Sequence, residues 1–114
     1  MKNALIIDDE VDLCKLLSLQ LKSLGIPNEY VNTIRDAKEK FRVNPYAIIF
    51  LDLNLTDGTG FEMLDFMSAF PKRQKVIVIS AYDNEREKVL TQGADFFLPK
   101  PFTKKQVAQI IDFI

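Results

Sequence analysis

Five short apolar runs divide the chain, and turn-forming residues separate each run from the next. The runs are ALII at 4–7, YV at 30–31, AIIFL at 47–51, VIVI at 76–79 and FFL at 96–98. Four of them are continuous rather than alternating, which is typical of parallel strands that are covered on both faces. The pattern therefore predicts five strands, and the weak YV run indicates that the second strand lies at a sheet edge.

A stretch with helical spacing of apolar residues follows each of these runs. The signals for the five helices are, in chain order, leucines at 13, 16, 17, 21 and 24 before Gly25; Thr33 as a start, with Ala37 and Phe41 facing inward, before Asn44-Pro45; Phe61, Leu64 and Met67 before Pro71; Asp83 as a start, with Glu85 and Glu87 in the first turn, before Gly93; and a capping box of Thr103 and Gln106 before Val107, Ile110, Ile111 and Ile114. These apolar stripes are predicted to face the core.

Strand and helix alternate five times, which predicts an α/β fold with right-handed crossovers. A weak second strand at an edge fits the strand order 2-1-3-4-5 better than a longer dinucleotide-binding sheet. We therefore expect a flavodoxin-like, three-layer α/β/α sandwich around a five-stranded parallel sheet. The length of 114 residues and the lack of any linker predict one domain, residues 1–114.

Composition narrows the function classes. The chain is 47% apolar and 27% charged, with 15 basic and 16 acidic side chains, so no net charge attracts nucleic acid or an acidic membrane. No apolar stretch approaches the roughly 20 residues of a membrane span, and the acidic start MKNALIIDDE does not resemble a secretory leader. We expect a cytoplasmic protein. It has no histidine, hence no imidazole base or ligand, and its single cysteine, Cys14, is expected in the core.

Charged and polar side chains follow the strong apolar runs. Asp8 and Asp9 follow the first run, Asp52 the third, Ser80 the fourth, and Lys100 comes two residues after the fifth. Because parallel strands end at one edge of the sheet, these side chains are expected at that edge. The three aspartates should converge where the first and third strands lie side by side, the switch point at which such folds open a cleft.

Three carboxylates in one cleft need protons or a cation. Two of them about 5 Å apart repel by roughly 3 kcal/mol at an effective dielectric constant near 20. With a lysine nearby, a hard divalent cation is the better occupant, and Mg²⁺ characteristically binds one or two carboxylates together with waters and phosphate oxygens. The strand ends therefore predict a Mg²⁺ site.

Four segments of the chain resemble, in order and spacing, the motifs of response-regulator receiver domains of two-component signalling. The segments are LIIDDE, IIFLDLNLTDGTGFEML, VIVISAYDN and FFLPKPF. The resemblance covers residues 3–114. It implies a phosphorelay phosphoprotein of the chemotaxis-regulator type, which takes a phosphoryl group from a histidine kinase or a histidine phosphotransfer protein. It also implies that the chain catalyses only its own phosphorylation and slow dephosphorylation.

The resemblance implies a role for each matching residue. These are Asp52 as phosphoacceptor; Asp9, Asp52 and the backbone carbonyl of Asn54 as Mg²⁺ ligands, with Asp8 acting through water; Lys100 and Ser80 as groups that hold phosphoryl oxygens; Pro101 as a residue preceded by a cis bond; and Ser80 and Phe97 as switch residues. Phe97 is expected to rotate inward when Ser80 moves. The face of the fourth helix, fifth strand and fifth helix is expected to bind an effector or a second copy.

The chain departs from the common family pattern at Thr56 and at Phe97, and Ser80 stands where threonine is also common. Thr56 stands where proline is common, four residues after the phosphoacceptor, so the loop is expected to be less rigid. Phe97 also has no hydroxyl, so burial alone would distinguish its rotamers.

Three other functions compete with this interpretation. An aspartyl-nucleophile phosphatase usually has an acid two residues after its nucleophile, where this chain has Asn54. A flavodoxin-like mononucleotide binder needs a small, hydroxyl-rich loop after the first strand, where this chain has Asp8, Asp9 and Glu10. A phosphorylation-independent receiver, serving as an interaction module, usually lacks one of the acidic or lysine positions, and all are present here.

Overall fold

The computed structural model describes residues 2–114 and contains a central sheet of five parallel strands. They are β1 (Ala4–Ile7), β2 (Asn28–Val31), β3 (Ile48–Asp52), β4 (Lys75–Ser80) and β5 (Phe96–Pro99). The strands lie side by side in the order β2-β1-β3-β4-β5, and every pairing is parallel. The predicted order 2-1-3-4-5 is confirmed, with the largely exposed second strand at an edge.

Five helices cover the two faces of this sheet. They are α1 (Val11–Ser23), α2 (Ile34–Val43), α3 (Gly60–Met67), α4 (Arg86–Thr91) and α5 (Lys104–Phe113). A short antiparallel hairpin, Asn54–Leu55 with Gly58–Thr59, follows β3 and was not predicted. None of the helices in residues 2–114 is long and apolar enough to cross a membrane.

The core has two apolar clusters, one on each side of the sheet. In β1, Leu5 and Ile7 face the cluster that includes α2, α3 and α4, whereas Ala4 and Ile6 face the cluster that includes α1 and α5. Successive side chains of a strand point to opposite faces, so a continuous apolar strand serves both clusters. This arrangement is the predicted three-layer α/β/α sandwich.

The buried face of α1 differs from the predicted leucine stripe. Leu16 is 62% exposed and Leu24 is 43% exposed, and both were expected to face the core. The residues that α1 buries are Cys14, Leu17, Ser18 and Leu21. Leucines occur on more than one side of this helix, so their spacing alone does not decide which side packs. Small Cys14 and Ser18 let the helix approach the sheet closely. The prediction that Cys14 lies in the core is confirmed.

The fourth helix is shorter than predicted. Residues Asp83–Glu85, expected in its first turn, form a separate 3₁₀ turn, and α4 itself has six residues. It ends before Gly93, whose φ of +106° favours glycine. Val89 is the single residue of α4 that is buried. The connection between β4 and β5 therefore has less attachment to the core than the other helical connections.

The start of α5 agrees with the sequence. The Thr103 side chain accepts a hydrogen bond from the backbone N–H of Gln106, and the Gln106 side chain accepts one from the N–H of Thr103. This reciprocal pair is the predicted capping box, which satisfies two amides that lack a partner within the helix.

Candidate functional site

The polar strand ends lie together at one edge of the sheet. Asp8 follows β1, Asp52 is the last residue of β3, Ser80 is the last residue of β4, and Lys100 follows β5. Because all five strands are parallel, the topology places these four residues at the same edge. These four residues therefore meet at the carboxyl ends of the strands, as the sequence predicted.

The three aspartates form a compact cluster. Each of Asp8, Asp9 and Asp52 offers one carboxylate oxygen, and the three oxygens lie within 4.8 Å of one another. Asp8 and Asp52 are buried, and Asp9 is half-buried. At this separation each pair of ionised carboxylates repels by about 3 kcal/mol at an effective dielectric constant of 20.

Lys100 is the cation that faces this cluster. Its Nζ lies 3.2 Å from Asp8 Oδ2, 3.4 Å from Asp52 Oδ2 and 3.8 Å from Glu10 Oε2. Burial disfavours the charged form of Lys100, but the surrounding carboxylates outweigh that effect and raise its pKa above the usual value. The lysine therefore stays protonated and neutralises part of the negative charge. The Lys100-Pro101 peptide bond is cis, as the resemblance implied.

The two buried aspartates have raised pKa values. Burial raises the pKa of Asp8 to about 6, and the hydrogen bond from the Glu10 N–H opposes this shift. Burial also raises the pKa of Asp52, and the charge of Lys100 opposes it. In both cases the charged form loses hydration that the single ammonium group does not replace. The cluster has more negative charge than its own residues neutralise.

The donor set suits a hard divalent cation. Asp8 Oδ2 is buried and accepts no hydrogen bond, although it lies in ion-pair contact with Lys100. A buried carboxylate oxygen without a hydrogen bond is costly. Three carboxylates facing one lysine leave charge that a cation of the Mg²⁺ class, which prefers oxygen ligands, would neutralise.

The loop that follows Asp52 is folded tightly. The Asn54 N–H donates a hydrogen bond of 3.3 Å to Asp52 Oδ1, and the Gly60 N–H donates one of 2.8 Å to the Leu53 carbonyl. A Cβ on Gly60 would lie 2.5 Å from the Asp52 carbonyl oxygen, a distance that no side chain tolerates. Glycine at position 60 therefore lets α3 begin directly against the backbone of the phosphoacceptor candidate.

Ser80 is buried at the edge, and its hydroxyl binds the segment that follows. Ser80 Oγ accepts a 3.0 Å hydrogen bond from the Tyr82 N–H. It lies 3.4 Å from both the Tyr82 carbonyl and Glu85 Oε1, to either of which it donates. In the part of the chain that the structure describes, no hydrogen bond links Ser80 to Asp52.

Phe97 already lies inward. Its side chain is 8% exposed, and the guanidinium carbon of Arg86 lies 4.8 Å from the centre of its ring. The inward rotation expected for Phe97 therefore has no room to occur from this state, because the ring already occupies the buried position. An output change that involves Phe97 must start from this covered arrangement.

Three residues at this edge were not identified from the sequence as part of the site. Asp57 accepts two backbone hydrogen bonds from α2, Glu85 contacts Ser80, and Arg86 covers Phe97. In the sequence Asp57 is an ordinary turn residue and Glu85 an ordinary acid of a helical first turn. The contacts of Asp57 and Arg86 are with other elements, and the contact of Glu85 depends on the 3₁₀ turn after β4; the sequence holds no local signal for either.

Comparison with known proteins places the chain in a family. Residues 4–112 match the model of the response regulator receiver domain. The swarming motility regulation protein RssB of Serratia marcescens is 33% identical over 102 residues, which are 88% of this chain and 47% of that protein. The chain spans between about a quarter and a half of the length of the curated relatives it matches.

Solved structures agree with this placement. A receiver domain from Methylobacillus flagellatus is 28% identical with a TM-score of 0.90, covering 99% of this chain and 98% of that one. The response regulator protein TrrA from Thermotoga maritima, solved in complex with Mg²⁺ and BeF, is 25% identical with a TM-score of 0.90 and the same coverage. This chain belongs to the response regulator receiver domain family.

Proposed function

We propose that Asp52 accepts a phosphoryl group from a histidine kinase or a histidine phosphotransfer protein, with the help of Mg²⁺. The observation that carries this proposal is the position of Asp52, which is 4% exposed, belongs to the acidic cluster, and lies 3.4 Å from the ammonium of Lys100. A carboxylate in this setting is a nucleophile held among groups that neutralise charge.

The transfer exchanges one bond to phosphorus for another. An Asp52 carboxylate oxygen attacks phosphorus, an O–P bond forms, and the N–P bond to the donor imidazole breaks, with its electron pair returning to nitrogen. Asp52 must be ionised to attack, and the charge of Lys100 favours that form. Lys100 then binds a phosphoryl oxygen, and Ser80 donates its hydroxyl to another.

The cation site uses the chain's own oxygens. Asp9, Asp52 and the Asn54 carbonyl would hold Mg²⁺, and Asp8 would act through a bound water. When bound, the cation supplies neutralisation of the negative charge on the acceptor and on the incoming phosphoryl oxygens. The relative TrrA was solved with Mg²⁺ and BeF, which supports the same ligand class for this chain.

The output surface is the face formed by α4, β5 and α5. A dianion on Asp52 competes with Glu85 and the Tyr82 carbonyl for the hydroxyl of Ser80, because charge-assisted hydrogen bonds are stronger than neutral ones. If the hydroxyl leaves Glu85, the change would reach the cover over Phe97 through the backbone, because Arg86 is the next residue along the chain. An effector domain or a second copy of the chain would bind the altered face.

The competing functions have less support. All the acidic and lysine positions are present and lie close together, whereas a phosphorylation-independent interaction module has no need of them. Asn54 offers no acid for a multiple-turnover phosphatase. The chain would therefore catalyse only its own phosphorylation and slow dephosphorylation, in the cytoplasm, where two-component kinases present their phosphohistidine.

Labelling by a small phosphodonor tests the phosphoacceptor. We expect acetyl phosphate with Mg²⁺ to add one phosphoryl group to the wild type, seen by mass spectrometry of the intact chain, and none to Asp52→Asn. Excess chelator should abolish the labelling. Full labelling of Asp52→Asn would show that another residue is the acceptor.

Amide exchange tests the output surface. Ser80→Ala should still accept phosphate, but beryllofluoride should no longer change the exchange of residues 83–114. Equal changes in the wild type and Ser80→Ala would exclude the hydroxyl as the relay.

A further inference from the structure

Asp57 joins two elements that are distant in sequence. Its Oδ1 accepts a 2.8 Å hydrogen bond from the Ile34 N–H, and its Oδ2 accepts a 3.1 Å hydrogen bond from the Arg35 N–H. These are the first two amides of α2, which have no partner within the helix. A carboxylate at a helix N-terminus is also favoured by the helix dipole, and the two bonds hold the pKa of Asp57 below its usual value.

This contact holds the tip of the hairpin that follows β3. The base of the hairpin is closed by the bond from the Gly60 N–H to the Leu53 carbonyl, and its two short strands pair Asn54 with Thr59. Among the described residues, the two bonds of Asp57 are the only hydrogen bonds from tip residues 56 and 57 to another element. The tip contains no proline that would fix its φ angles by itself.

The element to which Asp57 is attached is itself fixed. Ile34 and Ala37 of α2 are buried in the core, and the Lys38 ammonium lies 3.0 Å from Glu62 Oε2 on α3. Thr33 supplies the N-cap of α2 independently, by accepting a hydrogen bond from the Asp36 N–H. Helix α2 is therefore already capped, so the contact with Asp57 acts mainly on the hairpin.

We infer that Asp57 is a positioning residue: by binding the N-terminus of α2 it fixes the hairpin, and so holds the Asn54 carbonyl and Asp52 in the geometry that a divalent cation requires. The inference rests on the proposed function, in which Asn54 and Asp52 are cation ligands. It concerns a side chain that touches neither cation nor phosphoryl group. A ligand on an unattached hairpin would have to be ordered at each binding event, which weakens binding.

A series of variants separates this role from simple helix capping. Asp57→Ala removes both bonds, Asp57→Asn keeps one amide oxygen as an acceptor, and Thr33→Ala removes the N-cap of α2 without touching the hairpin. Asp57→Ala combined with Thr56→Pro restores stiffness to the tip by a different means, because proline restricts the backbone. Each variant is measured for Mg²⁺ affinity by calorimetry, for its thermal midpoint, and for amide exchange of residues 53–60 without metal.

We expect Asp57→Ala to weaken Mg²⁺ binding by about ten-fold, the lower end of the range for residues that orient metal ligands, with Asp57→Asn in between. Metal-free exchange in the hairpin should rise in Asp57→Ala. Thr33→Ala should lower the thermal midpoint and change the Mg²⁺ affinity by less than about two-fold. Thr56→Pro should recover most of the affinity lost in Asp57→Ala.

Other outcomes overturn the inference. If Asp57→Ala lowers only the thermal midpoint, as Thr33→Ala does, then Asp57 is a helix cap and nothing more. If hairpin exchange is unchanged in Asp57→Ala, the contact does not fix the hairpin. A wild-type chain that binds no Mg²⁺ would instead overturn the proposed function, and the metal-free exchange would still report whether Asp57 holds the hairpin.

Discussion

The loop after β3 and the segment after β4 flank the same acidic cluster, but they are held very differently. The first is closed by a 2.8 Å bond at Gly60, fixed at its tip by Asp57, and anchored by Leu53, which is 1% exposed. The second is held by a 3.0 Å hydrogen bond from the Tyr82 N–H to Ser80 Oγ and by two 3.4 Å contacts of the same hydroxyl. It leads into a six-residue helix in which only Val89 is buried.

The difference suits two tasks that the proposed function requires. Local stability varies within a domain, and segments with few buried contacts open at the lowest cost in free energy. A loop that presents cation ligands gains from being fixed before the cation arrives. A segment that must report phosphorylation gains from being weakly held, because a small change in free energy then shifts its population.

The largest effect should follow from breaking the fixed loop. Gly60→Ala would place a methyl group 2.5 Å from the Asp52 carbonyl oxygen, so the backbone must move. We expect the free energy of unfolding to fall by about 2–3 kcal/mol, as for other substitutions that overpack a core, and labelling of Asp52 to be lost. Urea denaturation and acetyl phosphate labelling measure the two effects.

Gly58→Ala is the matched control in the same hairpin. Its added Cβ would meet Glu62 Oε1 at 3.0 Å and Ile34 Cγ1 at 3.4 Å, and Glu62 is a flexible side chain that turns away at the cost of its surface ion pair with Lys38. We expect a loss below about 1 kcal/mol. An equal loss in both glycine variants would mean that the close approach at position 60 is not what fixes the loop.

Asp8 belongs to the acidic cluster that both segments flank, and its substitution should change the cluster rather than either segment. Folded Asp8, with its pKa raised to about 6, keeps its proton at pH values where the unfolded chain has lost it. The free energy of unfolding of the metal-free protein should therefore fall as pH rises from about 4 to about 6. Asp8→Asn should reduce this slope, leaving the part that the raised pKa of Asp52 contributes, and should stabilise the metal-free protein at pH 7 by about 2 kcal/mol.

Denaturation at several pH values without metal measures this effect, and exposed Asp65→Asn serves as the control. In the wild type, Mg²⁺ affinity should also weaken below pH 6, because the proton competes for Asp8. A slope in Asp8→Asn that is as steep as in the wild type would assign the titration to Asp52 or another group rather than to Asp8.

A smaller effect is expected in the weakly held segment. Arg86 covers Phe97 at 4.8 Å, and Lys88 on the same helix covers Phe61 of α3 at 4.4 Å. Each cation–π contact contributes about 0.5–1 kcal/mol. Arg86→Ala and Lys88→Ala should thus cost similar stability, but only Arg86→Ala should increase amide exchange in β5. Equal exchange in the two variants would exclude Arg86 as a cover for the switch position.

The smallest effect should come from α1. Leu16 is 62% exposed, so Leu16→Gln should change the free energy of unfolding by less than about 0.5 kcal/mol. Leu17→Gln, at a fully buried neighbour, should cost several-fold more. Thermal denaturation of the two variants measures this difference. A similar loss of stability in both would mean that Leu16 faces the core, as the leucine stripe predicted.

The strand order, and the edge of the sheet at which the polar residues meet, were predictable because both depend on local signals. A continuous apolar run followed by Asp52 or Ser80 marks a parallel strand and its end, and parallel strands share one edge. The face that α1 buries was not predictable, since leucines lie on several sides of that helix. The 3₁₀ turn at Asp83–Glu85 was missed because first-turn acids suit either kind of helix.

The side-chain contacts between elements were also not predictable from the sequence. Asp57 reaches α2 from 22 and 23 residues away, and Arg86 of α4 meets Phe97 of β5 across the turn that joins these two elements. Such pairs leave no periodicity, because each residue suits its own segment whether or not the other is present. The burial of Asp8 Oδ2 without a hydrogen bond was likewise not predictable, since burial of a single atom depends on the packing around it.

The buried thiol of Cys14 can report the unfolding of this chain. Cys14 is fully buried, its Sγ–H donates to the Asp8 carbonyl at 3.3 Å, and burial raises its pKa to about 12. An alkylating reagent at neutral pH thus has neither access nor a thiolate until α1 leaves the sheet. Because the sequence has one cysteine, each alkylated molecule counts one opening. The time course of alkylation would then time the detachment of α1 without any attached dye.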